Sequence, residues 1–353
     1  MAAIKGLFGR LKAADGELFT KTDPAIDGED CTHDCGTCSV HLPNKWSIDE
    51  ADQLYGHIKG FNRHIIVATG KTDWIRDVGA IKGSVMEAID SNSSSINNGR
   101  LMLSASNMPT DSSHTTSEDS TRCILLPAFL FIDNVTPSAV PDLISGVINS
   151  TSTNVTSLTA PSPNNLSIPE GLTVRACPHD YLILLCSHKT RDARCGQSAP
   201  LIRKELERHL RPLGLLRDLH DERPGGVGIY FISHVGGHKY SANMMIYRKA
   251  GTKGLEIPEP TAETGDAGAQ PVGVEKTETN GGVGNGHVEG QGNGSAKKEK
   301  EVIDEAGQCI WLARIKPEDC ENIVRYTILQ GKVVKPESQL RGGFDRCKQL
   351  ASW

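Results

Sequence analysis

The sequence predicts an α/β protein made of two units. Short apolar runs rich in Val, Ile and Leu, bounded by Gly, Asp or Asn, read as buried strands. Between them lie stretches with helical spacing, one opened by proline and acids in its first turn. Two Ser/Thr/Asn-rich segments interrupt the pattern and divide the chain.

The first unit is expected over residues 18–150, after a basic tail at 1–17. His64-Ile-Ile-Val-Ala-Thr69 reads as a strand closed by Gly70, and the run from Cys123 to Ile132 as another. A helix fits between Asp73 and Ile89. Residues 91–121 are polar and read as a long loop. A Ser/Thr/Asn/Pro-rich linker at 151–171 leads to the second unit, 172–353. There a strand at Tyr181–Leu185 precedes a helix from about Pro200 to Leu210. Strands follow at Val227–Ile232, Asn243–Arg248 and Cys309–Ile315, then a helix opened by Pro317-Glu-Asp319. The order is β-α-β-β-β-α. Residues 251–300, with 12 glycines and hardly a large apolar side chain, read as a disordered insertion in a hairpin.

Composition bounds the function. A chain of 353 residues with 37% hydrophobic and 23% charged residues has enough apolar sequence for two cores. A net charge of −5 gives no electrostatic reason to expect nucleic acid or an acidic membrane as partner. No run reaches the roughly 20 apolar residues that span a bilayer. Ten unevenly spaced cysteines, several beside histidines, favour metal or redox use over a disulfide framework. The start, Met1 to Lys12, is basic, free of acids and weakly amphipathic; it is compatible with a short mitochondrial presequence or with a frayed basic terminus, and lacks a secretory signal pattern, with a cytoplasmic home as the alternative.

Two runs carry soft-metal ligands: Cys186-Ser-His-Lys-Thr-Arg-Asp-Ala-Arg-Cys195 and His234-Val-Gly-Gly-His238. Each follows a predicted strand, and strand ends side by side bring their loops together. Two thiolates and two imidazoles suit a tetrahedral zinc or an iron–sulfur cluster. Gly236 and Gly237 fit a tight bend. Arg191, Arg194 and Lys239 are candidates to offset site charge or receive an acidic redox partner protein, with ordinary solvated loop charges as the other reading. His188, Cys177 and His179 are spare donors.

These loops resemble those of the sucrase/ferredoxin-like family, most closely its fungal branch, the altered inheritance of mitochondria protein 32 family. Trp311-Leu-Ala-Arg-Ile-Lys-Pro-Glu-Asp319 and Arg63-His-Ile-Ile-Val-Ala-Thr-Gly-Lys-Thr-Asp-Trp74 extend the likeness, which leaves out only the linkers and the extreme N-terminus. The resemblance implies two thioredoxin-like domains, the first degenerate and the second a thioredoxin-like ferredoxin. It also implies a [2Fe–2S] cluster at positions matching Cys186, Cys195, His234 and His238, with histidines where ordinary thioredoxin-like ferredoxins have cysteines. The role so implied is electron transfer or redox sensing in mitochondrial thiol or oxidant homeostasis, as a carrier more than an enzyme. A zinc-stabilised interaction protein is the first alternative.

Cys31, Cys35 and Cys38 form a second constellation. Their spacing matches a radical-SAM loop, but no core strand precedes it and no barrel repeat follows. A small zinc site with His33 or His41, a redox dithiol at Cys35 and Cys38, or free thiols remain. The dithiol makes a thiol–disulfide oxidoreductase the second alternative. Val235 stands where a metalloprotease helix needs glutamate, and no Gly-x-Ser-x-Gly elbow, Walker loop or paired sugar-cleft carboxylates are found. The terminal Trp353 resembles, with Ala351 as a mismatch, the tail by which some proteins dock on the cytosolic iron–sulfur targeting complex; a buried aromatic capping the last helix is the other reading.

Overall fold

The computed structural model describes residues 18–110, 120–158, 166–252 and 304–353. The tail at 1–17 lies outside them, as does the insertion expected at 251–300 beyond its first two residues.

Strands β1 (Arg63–Ala68), β2 (Leu101–Ser106), β3 (Thr121–Leu126) and β4 (Leu130–Val135) build the first half, with helices Val85–Ser91 after β1 and Val140–Gly146 after β4. β1 and β2 are parallel, β3 is antiparallel to β1, and β4 to β3. β5 (Thr173–Ala176) adds to β4. The second half repeats this order: β6 (Tyr181–Cys186), helix Ala193–Leu210, then β8 (Val227–Ile232), β9 (Met244–Lys249), β10 (Ala306–Leu312) and a helical segment over Cys320–Ile328. β6 and β8 are parallel, β9 is antiparallel to β6, and β10 to β9. A short β7 (Leu216–Arg217) pairs with β8, while β11 (Leu340–Asp345) and β12 (Leu350–Ala351) extend the β10 side. All twelve join one mixed sheet, β12-β11-β10-β9-β6-β8-β2-β1-β3-β4-β5 with β7 off this path. The fully buried runs β1, β3, β6 and β8 are strands because both their faces are covered, which removes the need for a polar alternation.

The halves meet where β2 pairs antiparallel with β8 at Ser106 and Ile232. Side chains complete this short seam: Asn107 Oδ1 accepts from Phe231 N–H at 2.8 Å, and Ser233 Oγ from Ala105 N–H at 3.0 Å. Deeper, the fully buried His64 of β1 sits between Ser104 Oγ at 2.9 Å and Tyr247 OH at 3.0 Å, tying β1 and β2 to β9. Residues 18–58 lie against the second half, with Cys35 N–H donating to Glu318 O, Asp49 N–H to Lys239 O and Gly56 N–H to Arg341 O.

Several expectations are corrected. The loop at 91–121 contains β2, whose apolar side chains are diluted by serine. The strand at 123–132 is a hairpin: Pro127 has no N–H to donate, and Phe129 at φ +54° turns the chain. The helix placed between 73 and 89 forms only from Val85, where Ser84 Oγ accepts from Glu87 N–H. The helix expected at Pro200 begins at Ala193, capped by Asp192, and carries Pro200 inside it. Trp353 does not cap the last helix; its ring stacks on Phe61 at 4.9 Å and meets Phe344 edge-on.

Burial pushes the His64 imidazole down to about 3. A native value below the unfolded one means stability is fully present above about pH 6.5 and lost as pH falls toward 3. Urea unfolding should therefore show stability dropping between pH 7 and 5.5. His64→Asn should remove about 1 kcal/mol of that drop, the share one such histidine carries over this window. A pH dependence untouched by the substitution would contradict the assignment.

Candidate metal centre

Parallel strands release the chain at the same edge of the sheet. Cys186, the last residue of β6, is in register with Ile232, the last of β8, and His234 follows two residues later. The cysteine and histidine loops thus emerge together. Beyond β6 the chain turns, and Asp192 caps the next helix by accepting from Arg194 N–H at 2.9 Å. Cys195 consequently stands in the first turn of a helix, not in a loop. Its thiol contacts that of Cys186, and both are buried. Contact with Cys195 and burial push the Cys186 thiol up, while Cys186 and a 3.5 Å hydrogen bond from Ser241 Oγ hold Cys195 down. The backbone N–H groups of His188 and Val235 also point at the Cys186 sulfur.

The histidine loop needs its glycines. Gly236 and Gly237 have φ of +89° and +68°, and a Cβ on Gly237 would lie 2.6 Å from the Arg341 guanidinium. The His234 and His238 rings stand 5.4 Å apart. His238 Nδ1 faces Asp192 Oδ2 at 2.7 Å. That carboxylate, held well below the usual range first by Arg194 and also by His238, orients the ring and leaves Nε2 open. His234 Nδ1 is buried without a hydrogen-bond partner. Burial, then the Arg191 charge, pushes this imidazole down to about 4, so it is neutral at physiological pH.

His188 is no spare donor. Its Nε2 donates to Trp74 O at 2.9 Å and its Nδ1 accepts the His234 backbone N–H at 3.1 Å, so both nitrogens are engaged. His179 lies at the opposite end of β6, buried against Tyr230 OH, and Cys177 is buried beside it in sequence. The charges also sort differently. Arg194 pairs with Asp192, and Lys239 with Asp49 and Asp52. Arg191 stays near His234. Arg341, on distant β11, was not visible from the loops: it is buried over the Trp311 ring at 4.7 Å, donates to Gly236 O and Asn243 Oδ1, and bears on Cys186. Asp192 had a sequence signal, a capping residue just before the second cysteine; Arg341 had none.

The N-terminal cysteines sit elsewhere. Cys31 is buried in a 3-10 turn, while Cys35 and Cys38 are half-buried with thiols in contact. His33 is exposed and His41 pairs with Glu318 at 3.1 Å. Among the described residues, the trio of metal-type donors within 4.8 Å of one another is Cys35, His209 and Glu321. The four donors of the two loops form two pairs instead. No helix among the described residues is long and apolar enough to cross a membrane.

The chain is 27% identical over 265 residues to Actin patches distal protein 1 of Saccharomyces cerevisiae, covering 68% of this chain and 78% of that one. It is 26% identical over 157 residues to Altered inheritance of mitochondria protein 32 of Clavispora lusitaniae, covering 44% and 33% of the two chains. With the protein of the same name from Debaryomyces hansenii it shares 36% identity over 86 residues, 23% of this chain and 28% of the relative. No solved structure matches it. The sucrase/ferredoxin-like family model matches residues 54–342, which take in both ligand loops and both halves of the sheet, and the chain belongs to that family.

Proposed function

We propose that this protein is a one-electron carrier or redox sensor whose second half holds a [2Fe–2S] cluster on Cys186, Cys195, His234 and His238. The observation that carries this reading is the orphaned His234 Nδ1, a buried nitrogen without a hydrogen-bond partner among the described residues, which costs stability unless something else binds there. The rest of the donor set fits: two buried thiols in contact, and a second imidazole oriented by a carboxylate. Two thiols and two imidazoles are a donor set that a two-metal cluster takes with one pair on each iron, as Rieske centres do. We read each β-α-β-β-β-α half as a thioredoxin-like domain, 18–150 and 172–353 joined by 151–171, with residues 18–58 strapped over the second. A mitochondrial home is inferred from the names of the Clavispora lusitaniae and Debaryomyces hansenii relatives.

When bound, the cluster supplies reversible one-electron transfer. The chain's residues set how readily it accepts the electron. Asp192 fixes a proton on His238 Nδ1, which keeps Nε2 as the donor. His188 holds the His234 backbone. Arg341 and Arg191 bring positive charge to the site. Replacing two thiolates by neutral imidazoles removes two negative charges, which raises the reduction potential; His₂ ligation in Rieske centres spans about −150 to +300 mV against about −400 mV for plant-type clusters.

Anaerobically purified protein should be brown and, after dithionite, give a rhombic EPR signal. His234→Cys and His238→Cys should each lower the midpoint potential toward the all-cysteine value. A colourless, EPR-silent protein would contradict the proposal. Asp192→Asn leaves the cap in place but loses the carboxylate behind His238, and should weaken cluster retention about 10–100-fold, the usual cost of such a partner. Iron retention under chelator challenge measures it, and unchanged retention would remove Asp192 from the account.

A further inference from the structure

The helix Ala193–Leu210 that carries Cys195 in its first turn carries His209 in its last. The two lie about 21 Å apart along the axis at 1.5 Å per residue, so they serve different sites. Around His209 the fold gathers donors from three places in the sequence. Cys35 comes from the segment before β1, His209 from the helix end and Glu321 from the Cys320–Ile328 segment, and their donor atoms lie within 4.8 Å of one another. Cys38 sets its thiol against that of Cys35. We propose that Cys35, Cys38, His209 and Glu321 form a second metal site, for zinc, which clamps the N-terminal segment onto the second half.

The chemistry matches. Two sulfurs, one imidazole and one carboxylate are ligands zinc takes tetrahedrally; Cys35, His209 and Glu321 already lie within 4.8 Å of one another, and Cys38 joins them through its contact with Cys35. His209 Nε2 faces Arg208 Nη2 at 3.0 Å, so that nitrogen is presented as an acceptor. Two thiolates and one carboxylate bring three negative charges, of which zinc offsets two, while Arg208 adds a positive charge that it shares with Glu205. Arg208 Nη2 touches Cys35 Sγ at 3.5 Å and His209 Nε2 at 3.0 Å and gives up these contacts to the metal, while its Nε keeps Glu205 Oε2 at 2.7 Å. The surroundings are built to hold the loop in place. Ser39 N–H and Oγ donate to the buried Glu205, and Asn322 Nδ2 donates to Asp30 O at 3.2 Å and His33 O at 2.7 Å. Cys320, close by, already directs its thiol at Ile202 O and Lys316 O, which leaves it behind the site. These donors differ from those predicted for zinc from sequence, where His33 or His41 completed the set.

The site is independent of the cluster, and metal analysis separates the two. Full-length protein is purified anaerobically, exposed to zinc sulfate, desalted, and assayed for zinc and iron. Wild type should keep about one zinc per chain beside its iron. His209→Ala and Cys35→Ala/Cys38→Ala should lose that zinc and keep iron and brown colour, whereas Cys195→Ala should lose iron and keep zinc. X-ray absorption at the zinc edge of the wild type needs no variant to fold, and should show two sulfur and two nitrogen or oxygen neighbours. No zinc in the wild type, a Cys35–Cys38 disulfide in its place, zinc lost with Cys195→Ala but kept in His209→Ala, or a shell of any other composition would each overturn the proposal.

Discussion

The parallel pairing of β6 with β8 is the constraint on which the candidate centre depends. It fixes where two loops far apart in sequence leave the sheet, and in what register. Cys186 and Ile232 end their strands as partners, which sets His234 and the thiol pair at one edge. A strand slip of one residue would turn Cys186 to the other face of the sheet. The helix after β6 then completes the set, because its cap, Asp192, also holds His238. One carboxylate thereby ties the start of the cysteine helix to the histidine loop.

The first half supplies none of the four proposed cluster ligands, yet it braces their site. The loop after β1 reaches across the seam: Thr72 O accepts from Ser187 Oγ at 2.7 Å, Asp73 accepts from Thr190, and Trp74 O accepts from His188. His188 in turn fixes the His234 backbone. The seam contains only one strand register pair, so these side-chain bonds and the buried Ser104–His64–Tyr247 chain carry much of the connection. A half with the same strand order but none of those four donors serves here as the wall that orders the other half's loops.

What could be read in advance follows from how each element announces itself. Tyr181–Cys186 and Val227–Ile232 are continuous apolar runs, so these two strands and the positions of the loops after them were legible. β2 was not, because Leu101-Met-Leu-Ser-Ala-Ser106 is short and lies in serine-rich sequence whose strand state comes from neighbours on both sides. The helix start was misplaced because Pro200 looks like a first-turn proline; the true start depends on the Asp192 side chain folding back on Arg194 N–H. Arg341 and the pair His209 and Glu321 are assembled by tertiary packing alone, and no local spacing points to them.

The central claim is that two histidines share the cluster with two cysteines. Pulsed EPR of the dithionite-reduced protein, read for nitrogen hyperfine coupling, tests it directly. Two strongly coupled imidazole nitrogens, one lost in His234→Cys and the other in His238→Cys, are the result the account predicts. A reduced cluster with no strongly coupled nitrogen, or one whose nitrogen couplings survive both substitutions, would contradict it.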